Sequence, residues 1–81
     1  MNEKFLKLPE EKQRKIIYSA VRVFAEKEYR YASTDRMAEL AGISKGLLFF
    51  YFKNKKSLYL YVYDHLIGLI VRQMEEMNFK E

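Results

Sequence analysis

The chain has 81 residues, no cysteine, and fifteen Lys and Arg against eleven Asp and Glu, a formal charge of +4. Such a length gives one small domain with a modest core, and without Cys neither a disulfide framework nor a zinc finger can brace it. The basic balance favours an anionic partner, nucleic acid or acidic membrane, while the lack of a signal peptide or an uncharged apolar run of bilayer length points to a soluble, cytoplasmic protein.

Residues 1–8 are expected to form a flexible arm, from which Lys4 and Lys7 can reach a phosphate backbone. Leu8-Pro9-Glu10-Glu11 starts the first predicted helix, with Pro9 at the first helical position and both glutamates near the positive end of the dipole. Ile17, Ala20, Val21, Phe24 and Ala25 then recur at helical spacing, and Ile16 and Val23 widen the stripe. Lys12, Arg14, Lys15, Arg22 and Lys27 fall largely outside it, so this is an amphipathic helix of about five turns whose stripe faces a core. The link 28–32 holds neither Gly nor Pro. The helix must end without its usual stop residue, which predicts a left-handed Glu28 or Tyr29.

Residues 33–52, STDRMAELAGISKGLLFFYF, read as helix, tight turn and helix. Ser33 can accept a bond from a free N–H of the first turn, and Asp35 complements the dipole. Met37, Ala38, Leu40 and Ala41 give a small apolar face. Gly42 can adopt the left-handed conformation that ends a helix. Ser44 is a second N-cap, and Ile43 and Leu48 stand at the two positions of a hydrophobic staple. Together these make a helix-turn-helix, whose second helix can enter the DNA major groove. The aromatic run 49–52 has some β character, but its capped context favours a helix.

Asn54 caps a fourth predicted helix, from Lys55 to about Met77. Leu58, Val62, Leu66 and Leu69 form one stripe on it. Leu60, Tyr63, Ile67, Ile70 and Met74 form another. A helix resting on a three-helix core needs one stripe, so the second predicts a missing partner, either further chain or another subunit. The fold expected is all-α.

An enzyme is not expected. His65 is the sole histidine and does not share a helix face with Asp64, so no metal site or nucleophile–base pair forms there. The glutamates sit beside lysines and arginines as solubility charges. Gly42 and Gly46 follow a helix and not a strand, which excludes a phosphate-binding glycine loop. No cofactor or metal is expected.

The helix-turn-helix carries a definite chemistry instead. Ser33 and Thr34 can meet a phosphate with the free N–H groups of their helix end. Ser44, Lys45, Gly46 and Leu47 form the tip of the recognition helix, 44–52. Gly46 permits close approach to DNA. Lys45 can bond a guanine edge or a phosphate, and Leu47 can lie on a thymine methyl. Leu48 and Phe52 should face inward. Phe49, Phe50 and Tyr51 are left on the outer side, the two phenylalanines for sugars or thymine methyls and the Tyr51 hydroxyl for phosphate. Lys55 adds a backbone charge.

At these residues the chain resembles a TetR-family bacterial transcriptional regulator. The resemblance lies in Phe24-Ala25-Glu26-Lys27, Tyr29, Ser33-Thr34, Met37-Ala38, Ala41-Gly42-Ile43-Ser44-Lys45-Gly46, Leu48-Phe49, Tyr51-Phe52, Lys53-Asn54-Lys55 and Leu58. It implies a three-helix, homeodomain-like DNA-binding domain over 9–58 and a fourth helix, 59–81, leading to an absent C-terminal domain. In that family the missing domain dimerises and binds a small-molecule inducer that releases the operator; the inducer would not be bound by this chain. Ser33, Thr34, the tip of the third helix, Tyr51 and Lys55 would stand at DNA-contacting positions of a homodimeric repressor. Three residues depart from the family's pattern. Glu28 replaces a Gly, Leu47 a Thr or similar small residue, and Phe49 the more usual Tyr. The competing reading is a peripheral membrane or protein-docking module built on the basic first helix and the aromatic-rich fourth. That reading leaves the caps, the staple and the Gly42 turn without a purpose.

Overall fold

The computed structural model of the chain describes residues 3–79. Within them lie five α-helices: α1 (Glu3–Leu6), α2 (Glu10–Glu26), α3 (Thr34–Ala41), α4 (Lys45–Tyr51) and α5 (Lys55–Phe79), with a 3-10 turn at Tyr29–Tyr31 between α2 and α3. The all-α expectation holds. α2 packs on α3 and α5, and α3 packs on α4.

The N-terminal arm is the first correction. Residues 3–6 fold into α1, and Phe5 is 1% exposed. Its ring meets Phe52 at 4.9 Å, Tyr61 at 5.6 Å and Tyr51 at 6.1 Å between centroids. Phe5 therefore fills the corner between the end of α4 and the first turns of α5. Gln13 holds α1 in place, its amide nitrogen donating to the carbonyls of Leu6 (3.1 Å) and Leu8 (2.8 Å). Met1 and Asn2, also assigned to the arm, lie outside the described residues.

Pro9 stands one position earlier than expected. Its ψ of 143° is not helical, so it is the residue that caps α2 rather than the first of its turns. Its carbonyl accepts from the backbone N–H groups of Lys12 and Gln13. The buried face of α2 is Ile16, Ile17, Ser19, Ala20 and Val23, with Val21 and Phe24 partly covered and Ala25 exposed. Ile16 and Val23 are central to the stripe, not its margin. Ser19 sits within it because its hydroxyl donates to the Lys15 carbonyl at 2.7 Å, so no buried polar group is left unpaired.

No left-handed residue ends α2. Lys27 turns to extended backbone (φ −135°, ψ 151°), and among the described residues no side-chain-bearing residue has positive φ. Aromatic packing holds the link instead: the Phe24, Tyr29 and Tyr59 rings meet pairwise at 5.0–6.1 Å. Glu28 carries no strain in place of a glycine.

The helix-turn-helix forms from the caps read in the sequence. The Ser33 hydroxyl accepts from the Arg36 N–H at 3.1 Å, and the Ser44 hydroxyl from the Leu47 N–H at 3.0 Å. Gly42 has φ +73°, and its N–H and that of Ile43 bond back to Glu39 and Ala38. These bonds satisfy the last carbonyls of α3 and reverse the chain in one residue. A Cβ on Gly42 would lie 3.4 Å from Lys15 Nζ, the end of a flexible side chain, so backbone conformation dominates the cost of substitution. Gly42→Ala is expected to destabilise the domain by about 1–2 kcal/mol. A thermal melting point equal to that of the unaltered chain would show that the turn tolerates another conformation.

Leu58 and Val62 of α5 are buried, whereas Leu66, Leu69 and the other stripe from Tyr63 onward are exposed. The helix is thus divided along its length and not only around it. At 1.5 Å per residue its 25 residues run about 37 Å, beyond the 30 and 20 Å of the molecule's shorter dimensions. Its first two turns close the core and the rest project. Asn54 starts it: the Asn54 side-chain oxygen accepts from the Ser57 N–H at 2.8 Å, and the Ser57 hydroxyl accepts from the Asn54 N–H at 3.1 Å. This is a reciprocal capping box with Ser in the place of Glu.

Candidate nucleic-acid interface

Three helix starts gather on one side of the domain. Lys45 Nζ lies 3.3 Å from an Asp35 carboxylate oxygen, so the tip of α4 touches the first turn of α3 across the Gly42 turn. Lys55 Nζ lies over the Tyr29 ring, 4.7 Å from its centroid, so the start of α5 touches the segment that feeds α3. The tip of α4 and the first turn of α3 are thereby in contact, and Lys55 lies against the segment that leads into α3. Between Leu40 and Tyr63 the sequence has four lysines and no acid. The two carboxylates of α3, Asp35 and Glu39, are each paired, the latter with Arg36 at 2.7 Å.

The recognition helix presents its faces unevenly. Leu48, Tyr51 and Phe52 are buried, as Leu48 and Phe52 should be. Gly46 and Phe50, four apart, form the outward ridge, with Phe50 54% exposed. Phe49 is half-buried. Leu47 is 37% exposed and turns toward the start of α2. There it lines a groove of about 530 Å³ together with Lys12, Lys15, Ile43 and Tyr51.

Tyr51 corrects the expectation for the outer side. Only 9% of it is exposed, because its ring packs on Phe5 and Phe50. The turn at Phe52 makes this possible: α4 is seven residues long, and its last buried positions must be Leu48 and Tyr51, three apart, to cover α1. Its hydroxyl is not among buried polar atoms without a partner, of which the described residues have none. The ring is core, and the oxygen is its one polar handle.

Three contacts were missed from the sequence. The Asp35–Lys45 pair spans ten residues across a turn and has no helical spacing to announce it. Lys55 on Tyr29 joins positions 26 apart. Lys4 Nζ over the Phe50 ring, at 4.3 Å, brings α1 to the recognition helix. Only Phe5 carried a readable signal, its i,i+3 spacing to Leu8.

Residues 16–62, 47 of the 81, match the sequence profile of the bacterial regulatory proteins, tetR family. The chain belongs to that family. Its helix-turn-helix is the TetR family's N-terminal DNA-binding domain. A TetR family transcriptional regulator from Chloroflexus aurantiacus J-10-FL has a matching solved structure, with a TM-score of 0.75 and 38% identity over 98% of this chain and 35% of that one. The fatty acid metabolism regulator protein of Bacillus subtilis (strain 168) is 34% identical over 80% of this chain and 34% of its own length. The biofilm operon icaADBC HTH-type negative transcriptional regulator IcaR of Staphylococcus aureus (strain Newman) is 32% identical over 80% and 37%. The chain therefore spans about a third of the length of these TetR-family relatives. The family is one of regulators and not of enzymes. Among the described residues no helix is long and apolar enough to cross a membrane.

Proposed function

We propose that this chain is the operator-reading part of a ligand-released, cytoplasmic transcriptional repressor, with the recognition helix 44–52 in the major groove of double-stranded DNA. The carrying observation is the convergence of the starts of α3, α4 and α5, with Lys45 and Lys55 on one surface. Serine hydroxyls, free N–H groups and lysines are the groups that bond phosphates on either side of a groove. Ser33 and Thr34 hold one phosphate at the start of α3. Lys55 and the Tyr51 hydroxyl hold another. Lys45 neutralises a phosphate at the tip of α4, while Ser44 and Gly46 approach base edges, with Leu47, Phe50 and the outer edge of Phe49 making apolar contact with sugars and thymine methyls.

The DNA-reading unit is 9–58, joined by α1, and the part of α5 from residue 59 onward leads toward a C-terminal domain. That domain makes the homodimer and binds the small-molecule inducer, as the family resemblance implies. The name of IcaR as a negative regulator favours repression over activation. The exposed aliphatic run of α5 is the surface such a domain would cover.

Binding measured on a panel of duplexes differing at single base pairs tests the assignment. Lys55→Ala and Tyr51→Phe are expected to weaken binding to all sequences alike, and Leu47→Ala to change the preference at one base step. If all three variants bind the panel as the unaltered chain does, α4 is not the reading helix.

A further inference from the structure

We infer that Lys4, carried by α1, is a further DNA-contacting residue that works as a unit with Phe50 of the recognition helix. The inference rests on the DNA-binding reading and extends it to a segment outside the helix-turn-helix. Phe50 lies on the outward ridge of α4 and is half-exposed, yet its ring is not bare: Lys4 Nζ sits 4.3 Å from its centroid. A ring face attracts a cation through its quadrupole, and it leaves the other side of the ammonium open to an anion. Among the described residues the ion pairs are Arg14–Glu10, Arg22–Glu26, Arg36–Glu39 and Lys45–Asp35. Lys4 is in none of them. Among the described residues, then, its ammonium meets the aromatic face and forms no ion pair, whereas that of Lys45 is shared with a carboxylate.

The backbone beneath Lys4 is fixed. Phe5 is buried against Tyr51, Phe52 and Tyr61, and Gln13 bonds the carbonyls of Leu6, at the end of α1, and of Leu8 just beyond it. An ammonium placed this way costs less ordering on binding than one on a free arm. When Phe50 meets a sugar or thymine methyl, Lys4 lies beside the adjoining backbone and neutralises a phosphate there. Phe50 thus supplies the apolar contact and, through Lys4, a charge that its own side chain lacks.

The test uses the whole chain and a duplex selected from a random library for tight binding. Affinity is measured over a range of salt for Lys4→Met, Lys4→Arg, Phe50→Leu and the double variant Lys4→Met with Phe50→Leu. Lys55→Ala and Arg72→Ala serve as references, the latter removing an equal charge on the projecting part of α5. Lys4→Met keeps the stem on the ring and removes only the charge, and circular dichroism establishes that each variant is folded. Lys4→Met is expected to lower the log–log salt slope by about 0.9 per protomer and to weaken binding about fivefold to tenfold at 0.1 M salt. Lys4→Arg restores both, Arg72→Ala leaves the slope unchanged, and the loss from Lys4→Met is smaller in the Phe50→Leu background. An unchanged slope in Lys4→Met while Lys55→Ala lowers it overturns the inference and leaves the DNA reading standing. Equal losses in Lys4→Met and Arg72→Ala overturn it in favour of net charge. Additive losses from Lys4→Met and Phe50→Leu overturn the unit. Unchanged slopes in Lys4→Met and Lys55→Ala together overturn the DNA reading itself.

Discussion

Phe5→Ala is expected to lower the stability of this domain by about 3–5 kcal/mol, the usual cost of emptying a buried aromatic site. A chain of this size has about 4–12 kcal/mol in all, so the variant should be partly unfolded near physiological temperature. The cost is high because Phe5 touches three rings from two elements, Tyr51 and Phe52 at the end of α4 and Tyr61 in α5. None of them can collapse into the space without moving the recognition helix or the start of the long helix. Urea denaturation measures it directly: the midpoint should fall with little change in slope. An unchanged midpoint would mean that α1 is the loose arm the sequence suggests. DNA binding should fall with stability, because the same ring positions Tyr51.

The second large effect concerns Asp35 and Lys45, whose substitutions should act in opposite directions on DNA affinity. Their pair is exposed on both sides, so it contributes about 0–1 kcal/mol to folding. If Lys45 meets a phosphate, as proposed, Asp35 puts a carboxylate beside that phosphate and DNA competes with it for the ammonium. Asp35→Asn removes that competition and is expected to tighten binding several-fold at low salt. It should cost only about 0.3–1 kcal/mol of stability, through the lost interaction with the start of α3. Lys45→Ala should weaken binding about fivefold to tenfold at 0.1 M salt. Filter binding or fluorescence anisotropy distinguishes the two signs. Weaker binding in Asp35→Asn would mean that the carboxylate positions Lys45 and does not oppose DNA.

Much of the fold is legible in local chemistry. Ser33, Gly42, Ser44 and Asn54 each act within three or four residues of themselves, and each does what its side chain or backbone freedom suggests. The end of α2 is not legible in that way. It depends on Phe24 and Tyr29 meeting Tyr59, some thirty residues later, and a residue-by-residue reading finds only a missing glycine. Tyr51 is misread for a related reason. Nothing in 49–52 says which ring faces inward until α1 is known to lie against the end of α4. The interface divides likewise. The residue types at the helix starts are apparent from the caps, but their pairing, Lys45 with Asp35, Lys55 with Tyr29 and Lys4 with Phe50, is a product of tertiary structure. The doubled apolar content of α5 is visible in the sequence. Its division into a buried first part and an exposed remainder follows from the length of the helix relative to the body it leaves.

The most direct measurement is the affinity of the chain for duplex DNA as a function of salt. If Lys45 and Lys55 each neutralise a phosphate, log affinity should fall against log salt with a slope of at least about −1.8 per protomer. Lys55→Ala should lower the magnitude of that slope by about 0.9 per protomer. A slope near zero, or one that Lys55→Ala leaves untouched, would contradict a phosphate-anchored interface at the starts of α3, α4 and α5.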